Sequence, residues 1–402
     1  MIAFNFATLG KRFRTELASI SNVIEPSIID GVGHLIHSSE FMARDCRLKW
    51  LVEGLLVEGQ PAAVGGAKKA LKTSTGVDLG VSLATGKSFL GHFPVRNRVR
   101  VGIISGESGE ATLKETFRRV CAARRIADPA KVNIWWGFQL PQLSFRDDLD
   151  ALEMTIRTNR LKVVILDPLY LCLLAGNPNL QAANLYHIGP LLADATAVCR
   201  AAGATPIFLH HTRMGAANSF EPPDLGDLAF AGIQEFVRQW ILLGRREKYE
   251  PGSGQHKLWL SAGGSAGQSG CWALNINEGQ LRPDFKGRRW LVEVRTLTEE
   301  LSRAADRKER ERRAKEQQKD KEDREKIRRV LRVNPDGESK NQIKIKAGLG
   351  NKTDKLIVSM LDDGEIVNCQ IMKQAGRTKS RPVDGYRLAD LGSAVIEAAG
   401  DD

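Results

Sequence analysis

The chain has 402 residues, of which 42% are hydrophobic, and a formal net charge of +11. It is long enough for roughly two or three domains with buried cores, which excludes a disordered protein. No apolar run reaches the roughly 18 residues of a membrane span. The six cysteines stand singly, without the spacing of a zinc site or a disulfide framework. The positive charge favours a polyanionic partner, nucleic acid before membrane.

Near the N-terminus, basic residues follow a short, broken apolar stretch, whereas a secretory signal would place them first. We therefore expect a cytoplasmic protein. Changes of composition predict five segments. They are an N-terminal arm (1–45), a core (46–295), a charged linker helix (296–323), a small domain (324–390) and a tail (391–402). The charged helix is either a solvated linker or a contact for nucleic acid or a subunit.

The core alternates apolar runs with helical patterns, which predicts an α/β fold with a mostly parallel sheet. An alternating pattern over 256–262 suits an antiparallel edge strand, and a helix is expected from about Thr73 to Thr85. Buried strands are predicted over 61–66, 99–105, 162–167, 205–211 and 238–244.

The segment GGAKKALKTS resembles a phosphate-binding loop, whose pattern is Gly, four residues, Gly-Lys and then Ser or Thr. Gly66, Lys72 and Thr73 fit this pattern, but Leu71 stands where the second glycine belongs. Either the loop binds nucleotide, with or without turnover, or it is a lysine-rich turn. As a nucleotide site it would hold ATP through Gly65, Gly66, Ala67, Lys68, Lys69, Ala70, Leu71, Lys72, Thr73 and Ser74.

Other polar residues follow the predicted strands. Asp167 closes the strand KVVILD, where a carboxylate could orient Mg²⁺ together with Thr73. Glu107 follows the second strand and could polarise an attacking water, with Glu110 as the lesser candidate. His210 and His211 end the fourth strand, where they could touch the terminal phosphate. Each has a structural alternative. Asp167 could simply end its strand, Glu107 could lie in an ordinary polar turn, and the two histidines could be structural.

The order of these motifs resembles the RecA-like P-loop ATPases, and most closely the RepA/DnaB hexameric helicase group, over residues 48–280. The stretches that carry the resemblance are GGAKKALKTSTGVDLGVSLATGKSFLGHFPV, GIISGESGEATLKETFRRV, VVILDPLYLCL and IFLHHTRM. The resemblance implies a RecA-like core, ATP with Mg²⁺ and a hexameric ring. It also implies a phosphate-loop lysine and hydroxyl (Lys72, Thr73), a catalytic glutamate (Glu107), a Walker B acid (Asp167) and a sensor position (His210, His211).

The helicases of this group also use a basic finger from the neighbouring subunit. Candidates in this chain are Arg245 and Arg246, with Lys248 and Arg238 as further possibilities. The family's lysine-containing segment is replaced by the glycine-rich stretch 261–270. That stretch either contacts a strand or a neighbour, or simply connects a hairpin.

Residues 324–388 resemble a winged helix, with a helix-turn-helix followed by two strands around a basic tip. The second helix of such a fold can enter the major groove while the wing contacts phosphates. The alternative is a protein-docking domain whose basic tip is solvated. The predicted DNA-binding residues are Lys352 and Lys355 on the helix, and Arg377, Lys379 and Arg381 on the wing.

Two functions follow from these patterns. The first is a DNA-dependent ATPase of the RepA/DnaB type, acting in DNA replication or on mobile DNA. The second is an ATP-switched DNA-binding regulator with little or no helicase activity, which the leucine at position 71 favours. A recombinase or clock-type relative of RecA shares the same core.

Overall fold

The computed structural model describes residues 35–173, 181, 184–213, 215, 220–284, 286–374 and 380–389. Most of the predicted N-terminal arm and the whole of the predicted tail therefore lie outside the described residues. The chain divides into two compact units, Met1–Val294 and Arg295–Asp402.

The first unit contains most of the regular elements, together with short 3₁₀ turns at Pro129–Lys131 and Leu225–Asp227. Its described helices are α1 (Ser38–Ala43), α2 (Lys72–Thr85), α3 (Glu110–Ala123), α4 (Arg146–Asn159), α5 (Leu169–Leu173), α6 (Leu185–Ala201) and α7 (Ala231–Phe236). Its strands are β1 (Trp50–Val52), β2 (Leu56–Val57), β3 (Ala62–Gly66), β4 (Val101–Ser105), β5 (Ile134–Gly137), β6 (Val163–Asp167), β7 (Thr205–His211), β8 (Gln239–Arg245), β9 (Gln255–Gly264), β10 (Ser269–Asn277) and β11 (Leu291–Thr296).

Nine of these strands form one sheet in the order β11-β10-β9-β8-β3-β7-β6-β4-β5. The six strands from β8 to β5 are parallel, whereas β9 runs antiparallel to both β8 and β10. The predicted α/β class and mostly parallel sheet are confirmed. The expectation that 256–262 forms an edge strand is wrong, because β10 covers the far side of β9.

Helices cover both faces of the sheet, because strand side chains alternate between the faces. In β3, Ala62 and Val64 pack in the cluster that contains the apolar residues of α2 and α3. Ala63 faces the opposite way, into the cluster formed with α4, α5 and α6. The parallel strands therefore end together at one edge, between two helical layers.

The glycine-rich stretch 261–270 forms the end of β9, a tight turn and the start of β10. The amide of Gly264 donates to the carbonyl of Gln268 across this turn at 3.0 Å. The stretch therefore forms a hairpin connection, and its contact with a strand of nucleic acid or with a neighbour stays a prediction.

The second unit contains α8 (Leu297–Val333), α9 (Lys340–Ala347), α10 (Lys352–Asp362), β12 (Ile366–Gln374) and β13 (Ser380–Leu388). The predicted linker helix and the helix that follows it are therefore one continuous helix. Thr296 and Glu299 form a capping box at its start. A small core joins the end of α8 to α9, α10 and the hairpin through Ile327, Leu331, Ile343, Leu356, Ile357, Met360 and Ile366.

Within the part of the chain that the structure describes, no helix is both long enough and apolar enough to cross a membrane.

Candidate nucleotide site

The segment between β3 and α2 is a loop that turns directly into a helix. Gly66 needs to be small, because a Cβ atom there would lie 3.0 Å from the carbonyl oxygen of Leu243. Leu71, immediately before α2, has a φ of 63° and a ψ of 25°. This left-handed conformation is the one that glycine adopts without cost. Leu71 thus takes the backbone geometry suited to glycine, while its side chain packs against the core.

Lys72 opens α2 and is 8% exposed. Its Nζ atom donates to the carbonyls of Gly66 at 2.8 Å and of Ala67 at 2.9 Å. Burial lowers the pKa of Lys72 to about 8, an effect that the carboxylates of Asp167 and Glu107 oppose. The loop therefore holds an ammonium group at the N-terminus of a helix, an arrangement suited to anions.

Thr73 and Asp167 meet across the end of the sheet. The Thr73 hydroxyl donates to Oδ2 of Asp167 at 2.8 Å. Asp167 is 4% exposed, and this burial raises its pKa to about 6, although the Thr73 bond lowers it. A hydroxyl and a carboxylate are hard oxygen ligands of the kind that Mg²⁺ prefers. Because the described residues contain no cluster of three or more His, Cys, Asp or Glu that could hold a metal, phosphate oxygens and water would complete its coordination.

Glu107 lies in the turn after β4 and lines the same cavity as Lys72 and Asp167. The register of β4 with β6 places Ser105 opposite Asp167, so this turn begins beside the carboxylate. Glu110 is an exposed residue in the first turn of α3 and is not among the residues that line the cavity. Of the two candidate glutamates, Glu107 therefore lies at the cavity and Glu110 does not.

The histidine pair ends β7, and Gly65 is the register partner of His210. His210 is 1% exposed, and burial lowers its pKa to about 3. The pKa of His211 is lowered as well, first by burial and then by Lys72. Both histidines line the cavity, where the ring of Tyr170 lies 5.6 Å from that of His211. Burial therefore disfavours the protonated form of both rings.

The two predicted arginines at the end of β8 have different surroundings. Arg245 lines the cavity of its own phosphate loop, and its guanidinium lies 5.8 Å from the centre of the Tyr249 ring. Arg246 lies over Trp259 at 5.3 Å and donates to Oδ1 of Asn275 at 2.5 Å. Of these two side chains, only that of Arg245 is among the residues that line the cavity.

The cavity has a volume of about 910 Å³, large enough for a nucleotide. Sequence reasoning missed some of its lining residues. The sequence does carry a signal for Tyr170, because it follows the strand-ending acid in the same run. Tyr249, His256 and Glu278 come together there only once the antiparallel strands have returned to this edge. Phe230, which follows β7 and precedes α7, lines the cavity as well.

In the second unit, the predicted DNA-binding residues lie on two elements. Lys352 begins α10 and lies 3.8 Å from Oδ2 of Asp323 on α8. Lys355, one turn further along α10, is exposed, as is Arg381 on β13. Arg377 and Lys379 lie outside the described residues. Part of the positive charge on this unit is therefore paired with acids.

Comparison with known proteins agrees with this geometry. A family model described as an AAA domain matches residues 35–217, somewhat less than half of the chain. A search of the curated proteins gives no match. The matched residues contain the loop before α2, Glu107, Asp167 and the histidine pair, and they lie in the mixed α/β unit with the mostly parallel sheet.

Similar solved structures include an ATPase domain with 15% identity and a TM-score of 0.41. That match covers 54% of this chain and 81% of the ATPase domain. Another is a KaiC-like protein from the hyperthermophilic archaeon Pyrococcus horikoshii OT3, with 15% identity and a TM-score of 0.39. It covers 60% of this chain and 93% of that protein.

Proposed function

We propose that the chain hydrolyses ATP at the edge of the sheet where the parallel strands end. One observation carries the proposal: a single cavity is lined by the loop lysine Lys72, the Thr73–Asp167 pair and Glu107. Phosphoryl transfer needs positive charge at the phosphates, a metal site and a group that orients water. This cavity offers a residue for each of these roles.

Each residue has a definite part in this reaction. The ammonium group of Lys72 moves from the carbonyls of Gly66 and Ala67 to the β- and γ-phosphate oxygens. Mg²⁺, when bound, neutralises phosphate charge, and Thr73 and Asp167 are the residues that would hold it. Glu107 orients a water molecule toward the γ-phosphorus and accepts its proton, while the bond from that phosphorus to the bridging oxygen breaks and ADP leaves.

We further propose that DNA stimulates this hydrolysis and that the protein works as a ring, six-membered by analogy with the helicases that the sequence resembles. The net charge of +11 and the basic residues of the second unit support a DNA partner. In a ring, a cation from a neighbouring copy can stabilise the transferred phosphoryl group. The segment with Arg245, Arg246 and Lys248 would supply it, and Lys248 is the exposed member.

A second candidate function rests on Leu71, a residue that lines the cavity and stands where the consensus loop has a glycine. A leucine resists the left-handed backbone that the loop needs at this position, which favours binding without turnover. An ATP-switched DNA-binding regulator would bind nucleotide at the same residues and turn it over negligibly. Turnover measured together with binding separates the two functions.

The test uses two matched pairs of variants on the full chain. Lys72→Ala should weaken nucleotide binding, whereas Lys114→Ala, on the exposed surface of α3, should not. Glu107→Gln should lower ATP turnover roughly 100- to 10,000-fold while retaining binding, and Glu110→Gln should leave turnover unchanged. Wild-type turnover that persists in both Lys72→Ala and Glu107→Gln would overturn the proposal.

A further inference from the structure

The edge of the sheet opposite the nucleotide cavity is rich in basic residues. The connections that enter β4, β6 and β7 contain RNRVR (96–100), NRLK (159–162) and RAAGA (200–204), and these stretches have no acidic residue. Because these parallel strands begin at one edge of the sheet, the three connections lie side by side. Six exposed residues there form what we call the basic edge. They are Arg98, Arg100, Arg125, Arg160, Lys162 and Arg200.

The basic edge is separate from the nucleotide cavity. β4 has five residues and ends at Ser105, beside the cavity residue Asp167 that closes β6. A strand of this length spans roughly 16 Å. A polyanion bound at the start of β4 therefore occupies a different site from a nucleotide bound at the phosphate loop.

Backbone carbonyls hold two members of the basic edge in place. The Lys162 amide donates to the carbonyl of Arg100 at 2.8 Å, so these residues are neighbours on adjacent strands. The Arg100 guanidinium donates to the carbonyl of Asn159 at 3.2 Å and lies 5.6 Å from the centre of the Trp135 ring. Nζ of Lys162 donates to the carbonyl of Gly203 at 3.4 Å. These two cations complement the partial negative charge at the ends of α4 and α6.

The other four side chains have no such role. Two acids near this edge are already paired, Glu53 with Arg96 and Glu153 with Arg157. Among the described residues, four guanidinium groups of the basic edge have neither an ion pair nor a hydrogen bond, those of Arg98, Arg125, Arg160 and Arg200. The edge therefore has more positive charge than its helix ends and neighbouring acids use.

The excess of charge does not extend along the whole edge. Before β3 and β8, the exposed acids Glu58 and Glu235 accompany the exposed Arg238. The unbalanced charge is therefore concentrated where β4, β6 and β7 begin.

Two of the arginines have a backbone conformation that glycine adopts more easily. Arg160 ends α4 with a φ of 52° and a ψ of 44°, and Arg125 follows α3 with a φ of 53°. Many helices end with glycine in this left-handed conformation, because a side chain there is unfavourable. Gly86 after α2 and Gly203 after α6 show this usual pattern in the same unit. Arginine stands at the other two helix ends at a cost in stability, which indicates a role for its charge.

We propose that the basic edge binds the phosphodiester backbone of a nucleic acid without regard to sequence. This inference goes beyond the proposed function, in which the nucleotide binds at the opposite edge and the second unit contacts DNA. Arg98, Arg160 and Arg200 provide guanidinium groups that can each pair with phosphate oxygens. Contacts of this kind position a nucleic acid but do not read its bases.

The chemistry of the surface favours a nucleic acid over an acidic protein. Protein–protein interfaces have an apolar centre within a polar rim. In the three connections, Leu161 is buried and no large apolar side chain is exposed. Interfaces with nucleic acids are more polar and more positively charged. Since neighbouring strands are about 4.8 Å apart, the starts of β4, β6 and β7 form a row about 10 Å long that a regularly charged polymer can follow.

The test measures binding of fluorescein-labelled oligothymidine to the full chain, without nucleotide, by anisotropy over a range of salt concentrations. Arg160→Gly/Arg200→Ala should lower the slope of log affinity against log salt by about 1.4, since each single-strand phosphate contact contributes about 0.7. Affinity at physiological salt should fall about tenfold. The matched control is Lys114→Ala/Arg118→Ala, which removes two exposed cations from α3 and should keep the wild-type slope.

Arg160→Gly alone separates a binding role from a structural one. It should raise the urea midpoint, because glycine relieves the left-handed strain, and weaken oligothymidine binding about fourfold. Arg160→Lys, which retains the charge, should keep most of the affinity. A lower midpoint with unchanged binding would show that Arg160 has a structural role only, and would contradict the proposal.

A second pair of substitutions leaves the left-handed residues intact. Arg98→Ala/Arg200→Ala should lower the salt slope as much as Arg160→Gly/Arg200→Ala does. If both pairs keep the wild-type slope and affinity, the proposal is wrong, and an acidic protein becomes the candidate partner. If the α3 control loses as much affinity as they do, overall charge governs binding and the proposal is equally wrong.

Failure of the proposed hydrolysis would look different. These binding measurements contain no nucleotide, so their outcome does not depend on whether the chain hydrolyses ATP. The affinity for ATP should be the same in Arg160→Gly/Arg200→Ala as in the wild type, because the two edges are separate.

Discussion

At the residue scale, Leu71 is the most important departure from the phosphate-loop pattern. The sequence shows that it replaces the second glycine of the loop pattern, but the pattern does not reveal how the backbone responds. The structure keeps the left-handed conformation and places a leucine in it. For an L-residue this conformation costs about 1–2 kcal/mol. Packing of the leucine side chain against the core offsets part of that cost.

A pair of substitutions separates these two effects. Leu71→Gly and Leu71→Ala both remove the packing, but only glycine relieves the left-handed strain. We expect Leu71→Gly to be the more stable of the two by about 1 kcal/mol. Urea unfolding followed by tryptophan fluorescence reports on the first unit, which contains all seven tryptophans. Equal stability of the two variants would show that the residue is not strained.

The buried His210 predicts how the stability of the first unit depends on pH. Its folded-state pKa of about 3 lies below the ordinary value of 6.5. Between these values the unfolded chain binds a proton that the folded chain does not, so stability falls as pH decreases through this window. The limiting slope for one such group is about 1.4 kcal/mol per pH unit.

His210→Gln should therefore lose less stability than the wild type between pH 6.5 and pH 4.5, by roughly 1–2 kcal/mol. The exposed His92 provides the matched control, since His92→Gln should retain the wild-type slope. The measurement is again urea unfolding, repeated across this pH range. An unchanged slope in His210→Gln would mean that this histidine is not held neutral in the folded state.

At the element scale, the sequence predicts well what depends on local pattern. The parallel strands are predictable because each is a short apolar run, and the helix after the loop because the phosphate-loop motif precedes it. The position of β9 within the sheet is not predictable in this way. Its alternation of residues suits a half-buried strand, but only the pairing with β10 decides that it is interior. The position of His256 beside the phosphate loop escapes sequence reasoning for the same reason, because it depends on register between strands.

The start of α8 provides a prediction at this scale. The Thr296 hydroxyl accepts from the Glu299 amide at 3.2 Å, and the Glu299 carboxylate accepts from the Thr296 amide at 2.8 Å. Loss of such a cap costs about 1 kcal/mol. Thr296→Ala should therefore speed amide hydrogen exchange in the first turn of α8 about fivefold. Thr296→Ser, which keeps the hydroxyl, should exchange nearly as slowly as the wild type.

At the scale of the whole molecule, the net charge of +11 is a poor guide to where DNA would bind. Several lysines of the second unit are paired within it. Lys340 lies 2.8 Å from Asp354, and Lys346 lies 2.5 Å from Glu338. A net charge counted from the sequence includes these lysines in full, because their pairing with acids depends on tertiary structure. The exposed Lys355 and Arg381 are therefore the better candidates among the described residues.

Salt dependence of DNA affinity tests this ranking. Each lysine that contacts a phosphate contributes about one unit to the slope of log affinity against log salt concentration. Lys355→Ala should reduce that slope by nearly one unit, and Arg381→Ala should do the same. Lys346→Ala, which removes a paired lysine, should change it little. Equal effects from all three variants would contradict a defined contact surface.

The proposed function requires that the phosphate loop, despite its leucine, supports ATP hydrolysis that responds to DNA. The most direct measurement is ATP turnover by the full chain with and without single-stranded DNA, with Lys72→Ala as the blank. We predict turnover that DNA increases and that Lys72→Ala lowers about 100-fold or more. ATP binding without turnover, in the presence or absence of DNA, would contradict the claim and identify a nucleotide switch instead.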